Sequence, residues 1–201
     1  MKYQALYLFS LLFMCSCATD SRPDFSVDYV ELDTITVIDA PEPVAGSYHP
    51  AERDKLERGA YLVVLLGCGS CHTNGAFDGA PDLEHGLAGS DTGIAFTNPL
   101  GVKRPGITYP ANITPDAETG IGRWSDSQIA NAIRAGIGRH GERRIATMPW
   151  QGYSQLTDDD VDSIVAYLRS IKPVYNEVPK EVQPGQLAMK PFVYFGVYQS
   201  K

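Results

Sequence analysis

The most constraining feature of this 201-residue chain is a long segment, residues 67–124, that has no regular spacing of apolar residues. It is rich in Gly, Pro, Asp and Thr, and it separates the first predicted helix from the second. Irregular stretches of this length are uncommon inside a compact domain unless contacts other than their own secondary structure hold them in place. The three helices predicted below bury too little apolar surface by themselves. The sequence therefore predicts a core that packs around a large apolar ligand.

The three predicted helices have recognisable ends. The first covers about residues 51–66. The second begins with a capping-box pattern at Ser125 and ends near Gly136. The third begins after Thr157, carries three Asp residues where the helix dipole favours negative charge, and ends before Pro173. Its apolar positions share one face and are expected to be buried: Val161, Ile164, Val165, Leu168 and Ile171.

A cysteine pair with an adjacent histidine directly follows the first helix, in the order Cys68-Gly69-Ser70-Cys71-His72. Two cysteines three residues apart on a helical turn can form thioethers with the two vinyl groups of a haem. The adjacent imidazole can then bind the iron. The motif predicts one covalently attached haem c, held by Cys68 and Cys71, with His72 as its proximal axial ligand.

Three other roles for the cysteine pair compete with haem attachment. A dithiol redox site would normally open a helix after a strand, whereas this pair follows a helix. A zinc site needs further ligands at close spacing, and His49, His85 and His140 are scattered along the chain. A disulfide across two residues is strained. The histidine that follows Cys71 favours haem over all three.

The sixth coordination position of the iron needs a second ligand. Beyond the N-terminal leader the chain has two methionines, Met148 and Met189. Met148 lies in an Ala-Thr-Met-Pro-Trp stretch before the third helix. Here the proline can restrict the backbone conformation, and the tryptophan can shield the methionine sulfur from solvent. We predict Met148 as the ligand, which would raise the reduction potential relative to bis-His ligation. A bis-His site through His140 and a five-coordinate iron remain open alternatives.

Two neighbouring residues can donate hydrogen bonds to a haem propionate. Trp124 has an indole N–H and Arg123 has a guanidinium, and both groups suit a buried carboxylate. The alternative is a core tryptophan beside a surface arginine.

The N-terminus has the pattern of an export signal. One Lys and a run of ten mostly apolar residues that ends at Met14 precede Cys15-Ser16-Cys17, and the run is too short for a stable membrane span. This ending resembles a bacterial lipoprotein signal, in which a small residue precedes the acylated cysteine. Residues 1–16 are thus predicted to be a signal peptide and Cys17 to be the lipidated residue on the periplasmic side of a membrane. A plain secretory signal or an uncleaved anchor is the alternative.

The segment that follows, residues 17–50, is acidic and contains several prolines. It is predicted to be a solvated tether, with a weakly alternating strand over residues 29–38 as the alternative. The formal net charge of the chain is −7, and removal of residues 1–16 lowers it to −8. Such a charge argues against a nucleic-acid-binding surface. After residue 17 no apolar run is long enough to cross a bilayer.

Several of these segments resemble a His/Met c-type cytochrome: Cys68 to His72, the helix with Gly59, residues 164–168, and Met148-Pro149. The resemblance implies an all-α cytochrome c fold over residues 51–173, with short helices and long loops around one haem. Residues 174–201 would form a Pro- and aromatic-rich extension. In this family a proline carbonyl accepts the N–H of the proximal histidine, and Pro81 would play that part.

Residues 112–116, 119–124 and 148–150 are similar to the cytochrome c domains of periplasmic alcohol, aldehyde and related dehydrogenases. The resemblance covers roughly residues 52–178. It implies a tethered electron-transfer protein rather than an enzyme, which takes electrons from a dehydrogenase and passes them to another cytochrome or a terminal oxidase. The acidic surface predicts redox partners with basic patches. A haem peroxidase or ligand sensor with an open axial position is the alternative function, and a haem-free structural lipoprotein is a third.

Overall fold

The computed structural model describes residues 38–46, 48–96, 106–144 and 147–194, and in these ranges it contains five α-helices and three short strands. The helices are α1 (Pro50–Leu65), α2 (Cys68–His72), α3 (Asp126–Ala135), α4 (Trp150–Tyr153) and α5 (Asp158–Ser170). The strands are β1 (Gly93–Phe96), β2 (Gly106–Thr108) and β3 (Phe192–Tyr194). None of the described helices is long and apolar enough to span a membrane. The predicted signal peptide and Cys17 lie outside the described residues.

The predicted helix ends are confirmed by hydrogen bonds. The Ser125 hydroxyl accepts a bond from the backbone N–H of Gln128 at 3.2 Å, and the Gln128 side chain accepts one from the Ser125 N–H at 2.8 Å. Gly136 ends α3 in the left-handed conformation, with φ of +61°. The Thr157 hydroxyl accepts a bond from the Asp160 N–H at 3.2 Å and so caps α5.

The main core lies where α1 crosses α5, and Gly59 is the point of closest approach. A Cβ atom at this position would lie 2.1 Å from the carbonyl oxygen of Ser163 and 2.6 Å from Cβ of Tyr167. The absence of a side chain therefore lets the two backbones pack directly against each other. The predicted apolar face of α5 is buried in this core, together with residues of α1, α3 and the irregular segment: Leu62, Val63, Leu87, Ile121 and Ile129.

A small sheet, which the sequence analysis did not predict, organises part of the irregular segment. Its strand order is β2-β1-β3, with β1 antiparallel to β2 and parallel to β3. Ala95, Ile107 and Tyr109 form a second small core beneath it. Strands of three or four residues are too short to show an alternating pattern.

The end of the predicted tether packs on the helical core, so the expectation of a solvated spacer up to residue 50 is wrong for residues 38–44. The buried Tyr167 donates its hydroxyl hydrogen to the carbonyl oxygen of Pro41 at 2.6 Å. The backbone N–H of Val44 bonds to the carbonyl oxygen of Ser170 at 2.7 Å. These bonds join the segment to the C-terminal half of α5. The alternative strand over residues 29–38 lies outside the described residues, apart from Ile38.

The first part of the C-terminal extension is also attached to the domain. Val182 exchanges two backbone hydrogen bonds of 2.9 Å with Ile107 in β2, and β3 pairs with β1. Asn176 donates a side-chain hydrogen bond to the carbonyl oxygen of Ala88 at 2.8 Å. The described part of the extension therefore belongs to the same folded unit.

The helix crossing gives a test of the packing. We expect Gly59→Ala to lower the free energy of unfolding by about 3 kcal/mol, because the added methyl group would force α1 and α5 apart. Gly152→Ala in α4 is the matched control, since a Cβ atom there meets nothing within 4 Å. Guanidinium unfolding of the two purified variants measures both values. Equal stability of the two variants would contradict the direct contact at Gly59.

Candidate haem site

An apolar cavity with an open mouth lies between α2, α3, α4 and residues 108–113. Its walls are formed mainly by apolar side chains from the main core and from the irregular segment: Leu66, Ile94, Ile113, Ile121, Ile129, Ile133, Ile164 and Leu168. A large apolar surface left open in this way is typical of a binding site for a large apolar molecule. This is the space that the sequence analysis expected a ligand to fill.

The cysteine motif forms one wall of the cavity. Gly67 adopts the left-handed conformation, with φ of +67°, and so ends α1 and allows α2 to begin at Cys68. Cys68 and Cys71 stand on this single helical turn, are not joined by a disulfide, and both line the cavity. Burial, and secondarily the proximity of Cys71, raises the pKa of Cys68 to about 11. Burial also raises the pKa of Cys71.

His72 ends α2 and also lines the cavity. Its Nδ1 atom lies 2.7 Å from the carbonyl oxygen of Ala111, which fixes Nδ1 as the protonated ring nitrogen. Burial lowers the pKa of His72, while the bond to Ala111 opposes this effect. The imidazole is therefore neutral at pH 7, and Nε2 keeps the lone pair that a metal ion requires.

The prediction that Pro81 accepts the N–H of His72 is wrong, because that acceptor is the carbonyl oxygen of Ala111. Pro81 belongs to a loop that closes on itself, in which the Ala80 N–H bonds to the carbonyl oxygen of Gly75 at 3.0 Å and the Asp82 N–H bonds to that of Asn74 at 2.9 Å. The sequence does contain Pro110 directly before Ala111. Only the fold shows that this second proline-containing loop lies against the imidazole.

Met148 lines the same cavity as the cysteine motif, although it lies far from that motif in sequence. It precedes α4, and its carbonyl oxygen accepts a bond from the Trp150 N–H at 2.8 Å. The other methionine considered, Met189, is 86% exposed on the C-terminal extension. Within the described ranges, His140 lies outside the lining of this cavity and borders a neighbouring polar cleft.

Of the two predicted propionate contacts, Trp124 lines the cavity and Arg123 does not. The side chain of Arg123 is exposed, and its backbone carbonyl oxygen accepts a bond from Arg139 at 3.0 Å. The arginine that lines the cavity is instead Arg144, which the sequence analysis missed. Its position four residues before Met148 was the available signal.

Two buried polar atoms at the cavity test whether a haem fits. Trp150 Nε1 and Thr108 Oγ1 are buried and have no hydrogen-bond partner among the described residues, and both side chains line the cavity. Buried donors without partners are costly, and a ligand with peripheral carboxylates can supply acceptors. In the described part of the chain no group of three or more His, Cys, Asp or Glu residues could hold a bare metal ion. The thiols, the neutral imidazole and the apolar walls therefore fit a covalently bound haem.

Comparison with known proteins gives the same assignment. A family model described as cytochrome c matches residues 56–172, which is more than half of the chain. The fructose dehydrogenase cytochrome subunit of Gluconobacter japonicus is 38% identical over 144 residues, which cover 71% of this chain and 26% of that protein.

Two further relatives also carry dehydrogenase names. A nicotinate dehydrogenase subunit of Pseudomonas putida is 36% identical, covering 68% of this chain and 10% of that protein. The cytochrome c subunit of the quinone alcohol dehydrogenase of Gluconobacter oxydans is 33% identical, covering 64% of this chain and 24% of that protein. The matched region spans about a quarter or less of each relative. With its short helices, long loops and apolar cavity beside the Cys-x-x-Cys-His turn, the chain belongs to the cytochrome c family.

Proposed function

We propose that this protein is a membrane-tethered cytochrome that carries single electrons from a periplasmic dehydrogenase toward another cytochrome or a terminal oxidase. The observation that carries the proposal is the common cavity: Cys68, Cys71, His72 and Met148 all line one apolar space. Members of the cytochrome c family hold haem covalently. The chain has one Cys-x-x-Cys-His motif, so we propose one haem c.

The residues at the cavity have distinct proposed roles. Cys68 and Cys71 would hold the haem by thioether bonds, and His72 and Met148 would bind its iron, whose change of oxidation state supplies the redox chemistry. With both His72 and Met148 bound to it, the iron would be closed to substrates, and little rearrangement would accompany electron transfer. Trp124 and Arg144, which both line the cavity, would interact with the propionates in place of Arg123. The apolar side chains keep water away from the centre.

The dehydrogenase partner is proposed from the relatives, three of which are named as subunits of dehydrogenases for fructose, nicotinate and alcohol. The formal net charge of −7 supports a partner with a basic docking surface.

The axial role of Met148 can be tested with carbon monoxide. We expect the reduced wild-type protein to bind this ligand slowly, whereas Met148→Ala opens an axial position and binds it rapidly. Met189→Ala is the matched control, because Met189 is 86% exposed and lies away from the cavity. Spectrophotometric mixing experiments give the rates. Rapid binding by the wild-type protein would favour the peroxidase or sensor function over electron transfer.

The tether can be tested at the N-terminus. We propose that residues 1–16 are removed, that Cys17 is acylated, and that the acidic sequence after Cys17 links the folded domain to the membrane. Several acyl chains on one residue anchor a protein firmly, because each buried methylene contributes roughly 0.8 kcal/mol.

We expect Cys17→Ser to move the protein from the membrane fraction to the soluble periplasmic fraction. Cys15→Ser, two residues away, keeps the lipidated cysteine and is expected to stay with the membrane. Cell fractionation followed by immunoblotting distinguishes the two variants. Retention of both variants in the membrane would contradict lipidation at Cys17.

A further inference from the structure

We propose that Asn112 is a positioning residue for the axial ligand His72. Backbone hydrogen bonds from residues 174–176 hold Asn112 and its threonine partners in place. The proposal rests on the proposed function, since it concerns how the protein tunes a haem iron bound by His72. It also gives a role to the start of the C-terminal extension.

Asn112 would act through the hydrogen bond between His72 and Ala111. The carbonyl oxygen of Ala111 lies 2.7 Å from Nδ1 of His72. Ala111 belongs to neither a helix nor a strand, so no regular ladder of hydrogen bonds fixes its carbonyl group. Its position therefore depends on how the following residue, Asn112, is held.

Asn112 is 2% exposed, and its side-chain amide makes four hydrogen bonds. Its Nδ2 atom donates to the carbonyl oxygen of Val174 at 2.7 Å and to the Thr119 hydroxyl at 3.0 Å. Its Oδ1 atom accepts bonds from the backbone N–H of Thr114 at 3.0 Å and from the Thr114 hydroxyl at 2.7 Å. A primary amide offers two donors and two acceptor lone pairs, so the hydrogen-bonding capacity of Asn112 is filled.

Thr114 and Thr119, which bond to Asn112, also form hydrogen bonds with residues 174–176. The Thr114 hydroxyl accepts a bond from the Val174 N–H at 3.1 Å, and the Thr119 hydroxyl accepts one from the Asn176 N–H at 3.0 Å. The segment after α5 thus lies against the loop that carries Ala111. Loss of the Asn112 side chain would break all four of its hydrogen bonds at once and so separate these partners.

The same network reaches the backbone of His72. The Gly89 N–H bonds to the carbonyl oxygen of His72 at 2.8 Å, and the Ile113 N–H bonds to that of Leu87 at 3.0 Å. Gly89 has φ of +91°, and a Cβ atom there would lie 2.8 Å from the Asn112 nitrogen. Both the ring and the main chain of His72 are therefore held by the residues around Asn112.

The consequence for a bound iron follows from the basicity of the imidazole. An N–H donated to a firmly held carbonyl makes the ring a stronger electron donor, which stabilises ferric over ferrous iron. A less firmly held Ala111 carbonyl group should weaken this hydrogen bond and therefore raise the midpoint potential. A tenfold change in the ratio of ferric to ferrous affinity corresponds to about 59 mV for one electron.

The test is a spectroelectrochemical titration of the haem-bearing protein and its variants. We expect Asn112→Ala to shift the midpoint potential upward by up to about 59 mV, a tenfold change in that affinity ratio. Thr157→Ala, which removes the cap of α5 away from the cavity, is the matched control. It should lower the thermal midpoint of unfolding without moving the potential.

A second pair of variants decides the matter if Asn112→Ala fails to accumulate. Thr119→Val removes the hydroxyl that bonds Asn112 and Asn176 and should raise the potential, whereas Thr119→Ser keeps it and should restore the wild-type value. One common potential for all haem-bearing variants would overturn the role of Asn112. A wild-type protein without covalent haem would overturn the proposed function as well.

Discussion

The structure depends on an apolar cavity that the polypeptide encloses but does not fill. Leu66, Ile129 and Leu168 face this space from three different parts of the helical core, together with residues of the irregular segment. Apolar walls and unpartnered buried donors are unfavourable when they face water, and a flat apolar group with polar edges relieves both costs. The irregular segment then has something to pack around, which accounts for a compact domain with so little regular structure.

The features that were predictable from sequence are those encoded locally. The caps at Ser125 and Thr157 and the glycine that ends α1 are set by residues within a few positions of each other. The Cys-x-x-Cys-His turn is likewise encoded by five consecutive residues. Composition and local context favour Met148 as the second iron ligand, because the other candidate thioether, Met189, lies in the Pro-rich tail. The structure brings Met148 to the cavity beside the cysteine motif.

The features that sequence reasoning missed depend on contacts between distant parts of the chain. Pro81 and Pro110 both lie in irregular parts of the chain, and only the folded chain places Ala111 rather than Pro81 against His72. Arg123 adjoins Trp124 in sequence but lies outside the lining of the cavity that Trp124 borders. The pairing of β1 with β3 joins residues almost a hundred positions apart, and strands so short carry no periodicity that could reveal it.

The most direct test of the central claim is the intact mass of the polypeptide purified from a host that can attach haem, followed by sequencing of its cysteine-containing peptide. The account predicts an increase equal to one haem, located on the peptide with Cys68 and Cys71, and a loss of that increase in the Cys68→Ser/Cys71→Ser double variant. A polypeptide with the mass of its amino acids and any lipid alone would contradict it.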